Sequence, residues 1–189
     1  MLEVNFHPFP ELKTERLLLR RMIKDDAAEI FFLRSDAEVL KFIGKEPAQT
    51  IEEAEDFIRQ IDHGIEANEL IMWGIAMQDE PQQLIGTICI WKIRKEHYRA
   101  ETGYVLHPLY WRKGIMKEAL QKVIEHGFDV MKLHSMDALV TAGNIASAAV
   151  LEATGFIREA YFREDYSFRG KFYDTVVYSR LQSMGNDIS

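Results

Sequence analysis

The chain has 189 residues, 47 % hydrophobic and 28 % charged, with 23 Lys and Arg against 30 Asp and Glu and a formal net charge of −7. That length suits one domain, 1–189, with a packed core over about residues 12–181 and a short polar tail from Ser183. The acidic balance argues against a general nucleic-acid binder, whose affinity comes mainly from a basic surface.

Cys89 is the one cysteine and sits in the apolar run 84–91, the setting of a buried structural thiol rather than a nucleophile, and no disulfide can form within the chain. Residues 1–12 carry Glu3, Glu11 and interrupting prolines in place of a basic region and an apolar core, so they do not read as a secretion signal. No window approaches an uninterrupted apolar span. These features predict a cytoplasmic protein with neither membrane nor nucleic acid as a partner. His7, His63, His126 and His134 show no ligand spacing, and no metal is expected.

Residues 12–21, with Arg16-Leu17-Leu18-Leu19-Arg20-Arg21, predict a first strand. Over 24–35, Ala27, Ile30, Phe31 and Leu33 fall at helical spacing behind Asp25 and Asp26, acids that favour a helix start. The short apolar piece 39–43 leads to Gly44 and Pro47. Thr50, with Glu53 three residues on, has capping-box spacing and opens a helix through Ala54, Phe57, Ile58, Ile61 and Ile65 to about residue 68. Strands are predicted over 72–77 and 84–93, joined by the polar turn 79–83, and the charged run 92–99 makes the next turn.

The stretch 101–120 then changes period. Glu101, Gly103 and Val105 share one strand face, and Thr102, Tyr104 and Leu106 the other. Pro108 ends the strand because it has no N–H for a ladder. After Gly114, the residues Ile115, Met116, Ala119, Leu120, Val123, Ile124 and Phe128 form a helical stripe, with Lys117, Glu118, Gln121, Lys122 and Glu125 on the wet face. A helix start leaves about four N–H groups unpaired and carries roughly half a positive charge. With Arg112 and Lys113 just before it, this turn is suited to a phosphate, and a side chain at Gly114 would hold a ligand off the backbone. Gly114 also serves simply to shape a tight strand-to-helix turn.

Residues 136–142 alternate Met136, Ala138, Val140 and Ala142 and predict a strand. Asn144 begins a short helix that Gly155 stops. Residues 160–168 and 172–181 flank Arg169-Gly170-Lys171 as a closing hairpin. No repeat, low-complexity segment or linker interrupts this order. The fold class expected is mixed α/β (α+β), with helices on a largely antiparallel sheet.

Three motifs together resemble the GNAT N-acetyltransferase superfamily, in particular its RimJ/RimL-like branch, whose named members acetylate ribosomal-protein N-termini. They are Trp111-Arg112-Lys113-Gly114-Ile115-Met116; Asn144, Ser147, Leu151, Glu152, Gly155 and Phe156 at that spacing; and Gly170-Lys171-Phe172-Tyr173-Asp174 before the last strand. The superfamily's turn, Gln/Arg-x-x-Gly-x-Gly/Ala, is matched only at Gly114, with Trp111 and Met116 departing from it. A dinucleotide-binding fold would need Gly-x-Gly-x-x-Gly and a βαβ repeat, and the chain has neither.

The resemblance implies a GNAT-like acyl-CoA N-acyltransferase fold with acetyl-CoA as cosubstrate. Its pyrophosphate would lie on the N–H groups of Arg112 to Met116, at the turn that Trp111 opens, and its pantetheine arm would pair with the strand edge at Val105 and Leu106. One of these two would offer an N–H to the oxyanion. Many members protonate the leaving thiolate with a tyrosine seven residues after the Asn, where this chain has Leu151. The RimJ/RimL-like pattern places a serine three after the Asn, implying Ser147 as acid beside Asn144; as N-cap and first-turn residue, the same pair also fits an ordinary helix start. Glu101 is the candidate base, direct or through a water, and alternatively pairs with a neighbouring cation such as Arg99 or Arg94 and only shapes the strand. His97 is a second candidate base, and His107 reads as support for the turn.

An α-amine titrates near 7.7–8.0 and a lysine-type amine near 10.4, roughly 3 units and about 4 kcal/mol harder to deprotonate at neutral pH. One carboxylate therefore suits a protein or peptide N-terminus. A small amine such as a polyamine or aminoglycoside is the alternative acceptor, and a non-catalytic CoA-binding regulatory module is the reading from another class. Monomer and homodimer both stay open. Trp73, Trp91, Tyr104, Tyr110 and Trp111 are candidates to line a cleft, but at strand and turn positions such residues are more often core.

Overall fold

The computed structural model describes residues 1–182. Its strands are β1 (Leu12–Lys13), β2 (Leu17–Arg20), β3 (Ile71–Met77), β4 (Leu84–Arg94), β5 (Arg99–Leu106), β6 (Ser135–Thr141), β7 (Ile157–Phe168) and β8 (Lys171–Leu181). Its helices are α1 (Ala27–Ser35), α2 (Ala37–Leu40), α3 (Ile51–Glu66), α4 (Ile115–Glu125) and α5 (Ile145–Ala153). The strands form one sheet in the order β1-β2-β3-β4-β5-β6-β8-β7, antiparallel throughout except for β5 against β6. The expected mixed, mostly antiparallel sheet flanked by helices is therefore present.

In β4 every residue from Leu84 to Ile90 is buried, so both faces are covered at the centre of the sheet. α1 and α4 pack against β4, and α3 packs against β3. Ala54, Ile58, Ile61 and Ile65 form the buried stripe of α3, as the period of 3.6 requires. The centre of the core is Leu17, Leu19, Ile71, Trp73, Ile75, Ile88, Ile90 and Leu120. The closing hairpin turns through Arg169 and Gly170, both at positive φ (50° and 73°), the backbone pattern that suits the twist of two paired strands.

Several local expectations change. The first strand is broken into β1 and β2 by a turn at 14–16, because Thr14 Oγ1 accepts the Leu17 N–H at 2.9 Å and the Glu118 carboxylate takes both the Thr14 hydroxyl and the Arg16 N–H. The first helix opens as a 3-10 turn, Lys24–Asp26, and runs as α from Ala27, with Asp26 bound to Arg20 and to the Ile23 N–H. Thr50 does cap α3, accepting the Glu53 N–H at 3.4 Å, but the Glu53 carboxylate reaches back to the Gln49 N–H instead of that of Thr50. The apolar piece at 39–43 begins inside the short helix α2. The central helix runs as α to Glu125 and continues as a π-type turn, His126–Val130, which keeps Phe128 buried. The tail expected from Ser183 lies outside the described residues.

Candidate active site

The sheet opens in its middle. β5 and β6 pair at only three positions, Arg99↔Ser135, Ala100↔Met136 and Glu101↔Asp137. β5 stays paired with β4 as far as Leu106, and β6 with β8 as far as Thr141. The two strands therefore diverge beyond Glu101 and leave a wedge between them. The His107 N–H donates to the Ile85 carbonyl on the β4 side at 2.8 Å. Donors alternate along an antiparallel strand, so Val105 faces β4 as well, while Tyr104 and Leu106 turn their N–H groups to the wedge.

The closed end of the wedge is ionic. The buried Asp137 carboxylate accepts from Arg99 Nε at 2.6 Å and Nη2 at 2.5 Å, and from Arg94 Nη2 at 2.9 Å. The hydrogen bond to Asp137 holds the Arg99 guanidinium above its ordinary range, against the opposing effect of burial. Glu101 thus does not pair with Arg94 or Arg99. Its Oε2 lies 2.9 Å from Lys92 Nζ, and its side chain is 14 % exposed. The cause is local: the β4 register shifts between Trp91 and Arg94, and Lys92 sits there at φ 47°. Glu101 opens on a cleft of about 480 Å³ lined by Asn68, Glu69, Lys92, Ile93, Arg94 and Lys95.

The wide end meets the turn before α4. Trp111 Nε1 donates to the Leu106 carbonyl at 2.7 Å, tying the turn to the strand. Arg112 and Gly114 both have positive φ, 60° and 73°, and no side chain caps α4. Residues 111–114 are exposed, whereas Ile115 and Met116 bury their side chains and begin the helix. A Cβ on Gly114 would approach only Arg16 Nη2, at 3.5 Å, so the space beside the turn is open, and the first-turn N–H groups have no side-chain cap.

The acid of that first turn, Glu118, is engaged from outside the helix. Burial works against its ionisation, but hydrogen bonds from Thr14 and Arg16 hold its carboxyl below the usual range. Arg16 Nη2 is 2.6 Å from Glu118, and Arg16 Nη1 donates to the Lys113 carbonyl at 3.0 Å. The turn therefore presents backbone donors and Arg112 and Lys113 with its own carboxylate neutralised, an arrangement that fits a diphosphate. Arg16 and Glu118 are separated by 102 residues, and nothing in the sequence pairs them.

α5 faces the same region. Asn144 caps it, accepting the Ser147 N–H at 3.2 Å. Ser147 Oγ lies 2.9 Å from Tyr104 Oη, which is also 3.3 Å from the Ser147 carbonyl oxygen. Burial pushes the Tyr104 phenol up to about 12. Read from the sequence as core, Tyr104 instead sends its hydroxyl across to α5. The available signal was the need of a half-buried phenol for a polar partner. Leu151 is fully buried under α5.

Two of the remaining candidates stand apart. His97 is exposed in the β4–β5 turn beside Glu96, and His107 accepts the Leu109 N–H at 3.2 Å and stacks on Phe32 at 4.3 Å, supporting the turn. Cys89 is buried with its thiol donating to the Gly103 carbonyl, and burial pushes it up to about 12, as a structural thiol requires. Beside the end of β6, Thr141 Oγ1 joins the Phe42 carbonyl and Tyr166 Oη, each at 2.8 Å, and Arg169 pairs with Glu46 at 2.5 Å. The 44–50 loop, unremarkable in sequence, is thus tied to the β7–β8 hairpin. Among the described residues no group of three or more His, Cys, Asp or Glu could hold a metal ion, and no helix is long and apolar enough to cross a membrane.

The family described as an acetyltransferase (GNAT) domain matches residues 16–157. The uncharacterized N-acetyltransferase YoaA of Bacillus subtilis is 37 % identical over 171 residues, which cover 90 % of this chain and 96 % of that protein. A spermidine N(1)-acetyltransferase of Vibrio cholerae is 22 % identical over 168 residues, covering 89 % and 94 %. The crystal structure of a GNAT-family acetyltransferase from Bacillus anthracis superposes with a TM-score of 0.81 at 29 % identity, covering 92 % of this chain and 99 % of that one. All three bear the name of acetyltransferases, in line with an enzyme rather than a binding module. By this match across most of its length, joined to a split sheet whose open end meets an uncapped helix, the chain belongs to the GNAT family and is an N-acetyltransferase whose donor is acetyl-CoA.

Proposed function

We propose that the acceptor is the N-terminal α-amine of a protein or peptide, as in the RimJ/RimL-like branch. In this reading the diphosphate of acetyl-CoA lies on the N–H groups of Arg112 to Met116, and Trp111 fixes the turn against Leu106. The pantetheine arm follows the open edge of β5. Of Val105 and Leu106, the second turns its N–H to the wedge, and we assign the oxyanion contact to it, with Val105 holding the edge against β4. Glu101 takes the proton of the attacking amine, directly or through a water. Ser147, oriented by Asn144, supplies one to the leaving thiolate.

The observation that carries the choice of acceptor is the cleft beside Glu101. Lys92, Arg94 and Lys95 line it against Glu69 and Glu101, and Glu101 is already bound to Lys92. A polyamine would bring several positive charges to a rim that is itself cationic. An α-amine brings one, and at pH 7 roughly a tenth of it is already deprotonated, against less than about a thousandth of a lysine-type amine. The second reading, a polyamine acceptor, has its support in the spermidine N(1)-acetyltransferase that is similar over 89 % of this chain.

The deciding experiment follows CoA thiol release from acetyl-CoA, with N-terminally varied peptides in one pool and polyamines and aminoglycosides in another. Release with the peptides, and the acetyl group located on the α-amine by mass spectrometry, is the expected result. Release confined to the small amines would overturn the proposal in favour of the second reading.

A further inference from the structure

We propose that Tyr104 is a positioning residue that turns the hydroxyl of Ser147 toward the departing thiolate. The inference rests on the reading that Ser147 meets that thiolate, and it adds a residue from β5 to a function otherwise carried by α5. Tyr104 Oη lies 2.9 Å from Ser147 Oγ and 3.3 Å from the carbonyl oxygen of the same residue. Each hydroxyl has one proton, so two arrangements are open. If Tyr104 donates to the carbonyl, its oxygen takes up the Ser147 proton, and the serine points inward. If Tyr104 donates to Oγ, the Ser147 proton is free to face the wedge. Both arrangements use the 2.9 Å contact, and only the second leaves the Ser147 proton for the thiolate, so it is the one the proposal takes.

Burial pushes the Tyr104 phenol up to about 12, so it keeps its proton at neutral pH and is a donor in either arrangement. Among the described residues, Ser147 Oγ has no other side-chain hydrogen-bond partner, and Leu151, one turn further along α5, is apolar and buried.

During transfer, the acceptor nitrogen bonds to the acyl carbon and the carbon–sulfur bond breaks. The nitrogen sheds one proton to Glu101 or water, and the sulfur gains one from Ser147 Oγ. The O–H of Tyr104 is then drawn to the serine oxygen and stabilises it until water returns its proton, so the proton lost by nitrogen balances the proton gained by sulfur.

The test measures steady-state kinetics of Tyr104→Phe, Ser147→Ala and the double variant, with whichever acceptor the wild type turns over. Tyr104→Phe is expected to lower kcat by about tenfold to a hundredfold, at or below the roughly hundredfold minimum for loss of acid–base assistance itself because Tyr104 acts through Ser147, with KM for acetyl-CoA unchanged. Added to Ser147→Ala, it should cost nothing more. A wild-type kcat in Tyr104→Phe, with Ser147→Ala slow, would overturn the role of Tyr104 alone, as would additive losses in the double variant. Wild-type turnover in Ser147→Ala would instead remove the reading of Ser147 on which the inference rests. Should Tyr104→Phe unfold, a fluorinated tyrosine at 104 keeps the ring and acidifies the phenol. As a stronger donor that still holds its proton at neutral pH, it must change kcat in the wild-type background and leave kcat of Ser147→Ala unmoved, and an unchanged kcat in the wild-type background would overturn the inference.

Discussion

The two ends of β5 are built on opposite terms. At its start, Arg99 to Glu101 are paired on both sides, and the neighbouring strand is bolted on by a buried Asp137 held by Arg94 and Arg99. At its end, Tyr104 to Leu106 are paired with β4 alone, and the contacts reaching them are neutral, from Trp111 and Ser147. A sheet would ordinarily close such an edge, because unpaired N–H and C=O groups are costly when buried. Here the charge cluster sits at the last β5–β6 pair, and in the proposed reading the backbone donors beyond it serve the pantetheine arm.

Three substitutions bear on this contrast. The largest effect is expected at the open end from Gly114→Glu, which puts a side chain at φ 73° and a carboxylate on the anion site. Acetyl-CoA affinity by calorimetry should fall by about a hundredfold or more, equivalent to about 2.7 kcal/mol, and an unchanged Kd would remove the phosphate turn from the account. Next, Asp137→Asn should destabilise the fold by about 2 kcal/mol, since hydrogen bonds to a charged, buried group are lost at the closed end. Urea denaturation reads this, and an unmoved midpoint would mean that Asp137 bolts nothing.

The smallest effect is expected from Arg16→Met, which frees the charge of Glu118 beside the turn. It should weaken acetyl-CoA by roughly tenfold, about 1.4 kcal/mol, and adding Glu118→Gln should restore most of the loss. Failure of that rescue would show Arg16 to be a structural tie to the Lys113 carbonyl rather than a charge shield.

What the chain reveals unaided follows the range of each interaction. The stripes of α3 and α4, the Pro108 stop, the αL glycines at 114 and 155 and the Arg169-Gly170 turn are local, and they read directly from spacing and residue type. The turn inside 12–21 was hidden because Glu118, which pins it, is about a hundred residues away in sequence. Glu101 was weighed against Arg94 and Arg99, and a bulge that no residue type announces gave it Lys92 instead. Tyr104 reads as core because aromatic residues at strand positions usually are, and its partner arrives on a helix 43 residues later. The wedge itself was expected only through the family resemblance, since the register of β5 against β6 is a property of two distant segments.

Whether the open edge of β5 receives the donor is read by residue-resolved amide hydrogen exchange with and without acetyl-CoA. The amides of Tyr104 and Leu106 should exchange readily in the free enzyme and slow strongly on binding, while that of Val105, already bonded toward β4, should change little. Unchanged exchange at Tyr104 and Leu106 in the presence of saturating acetyl-CoA would contradict the account.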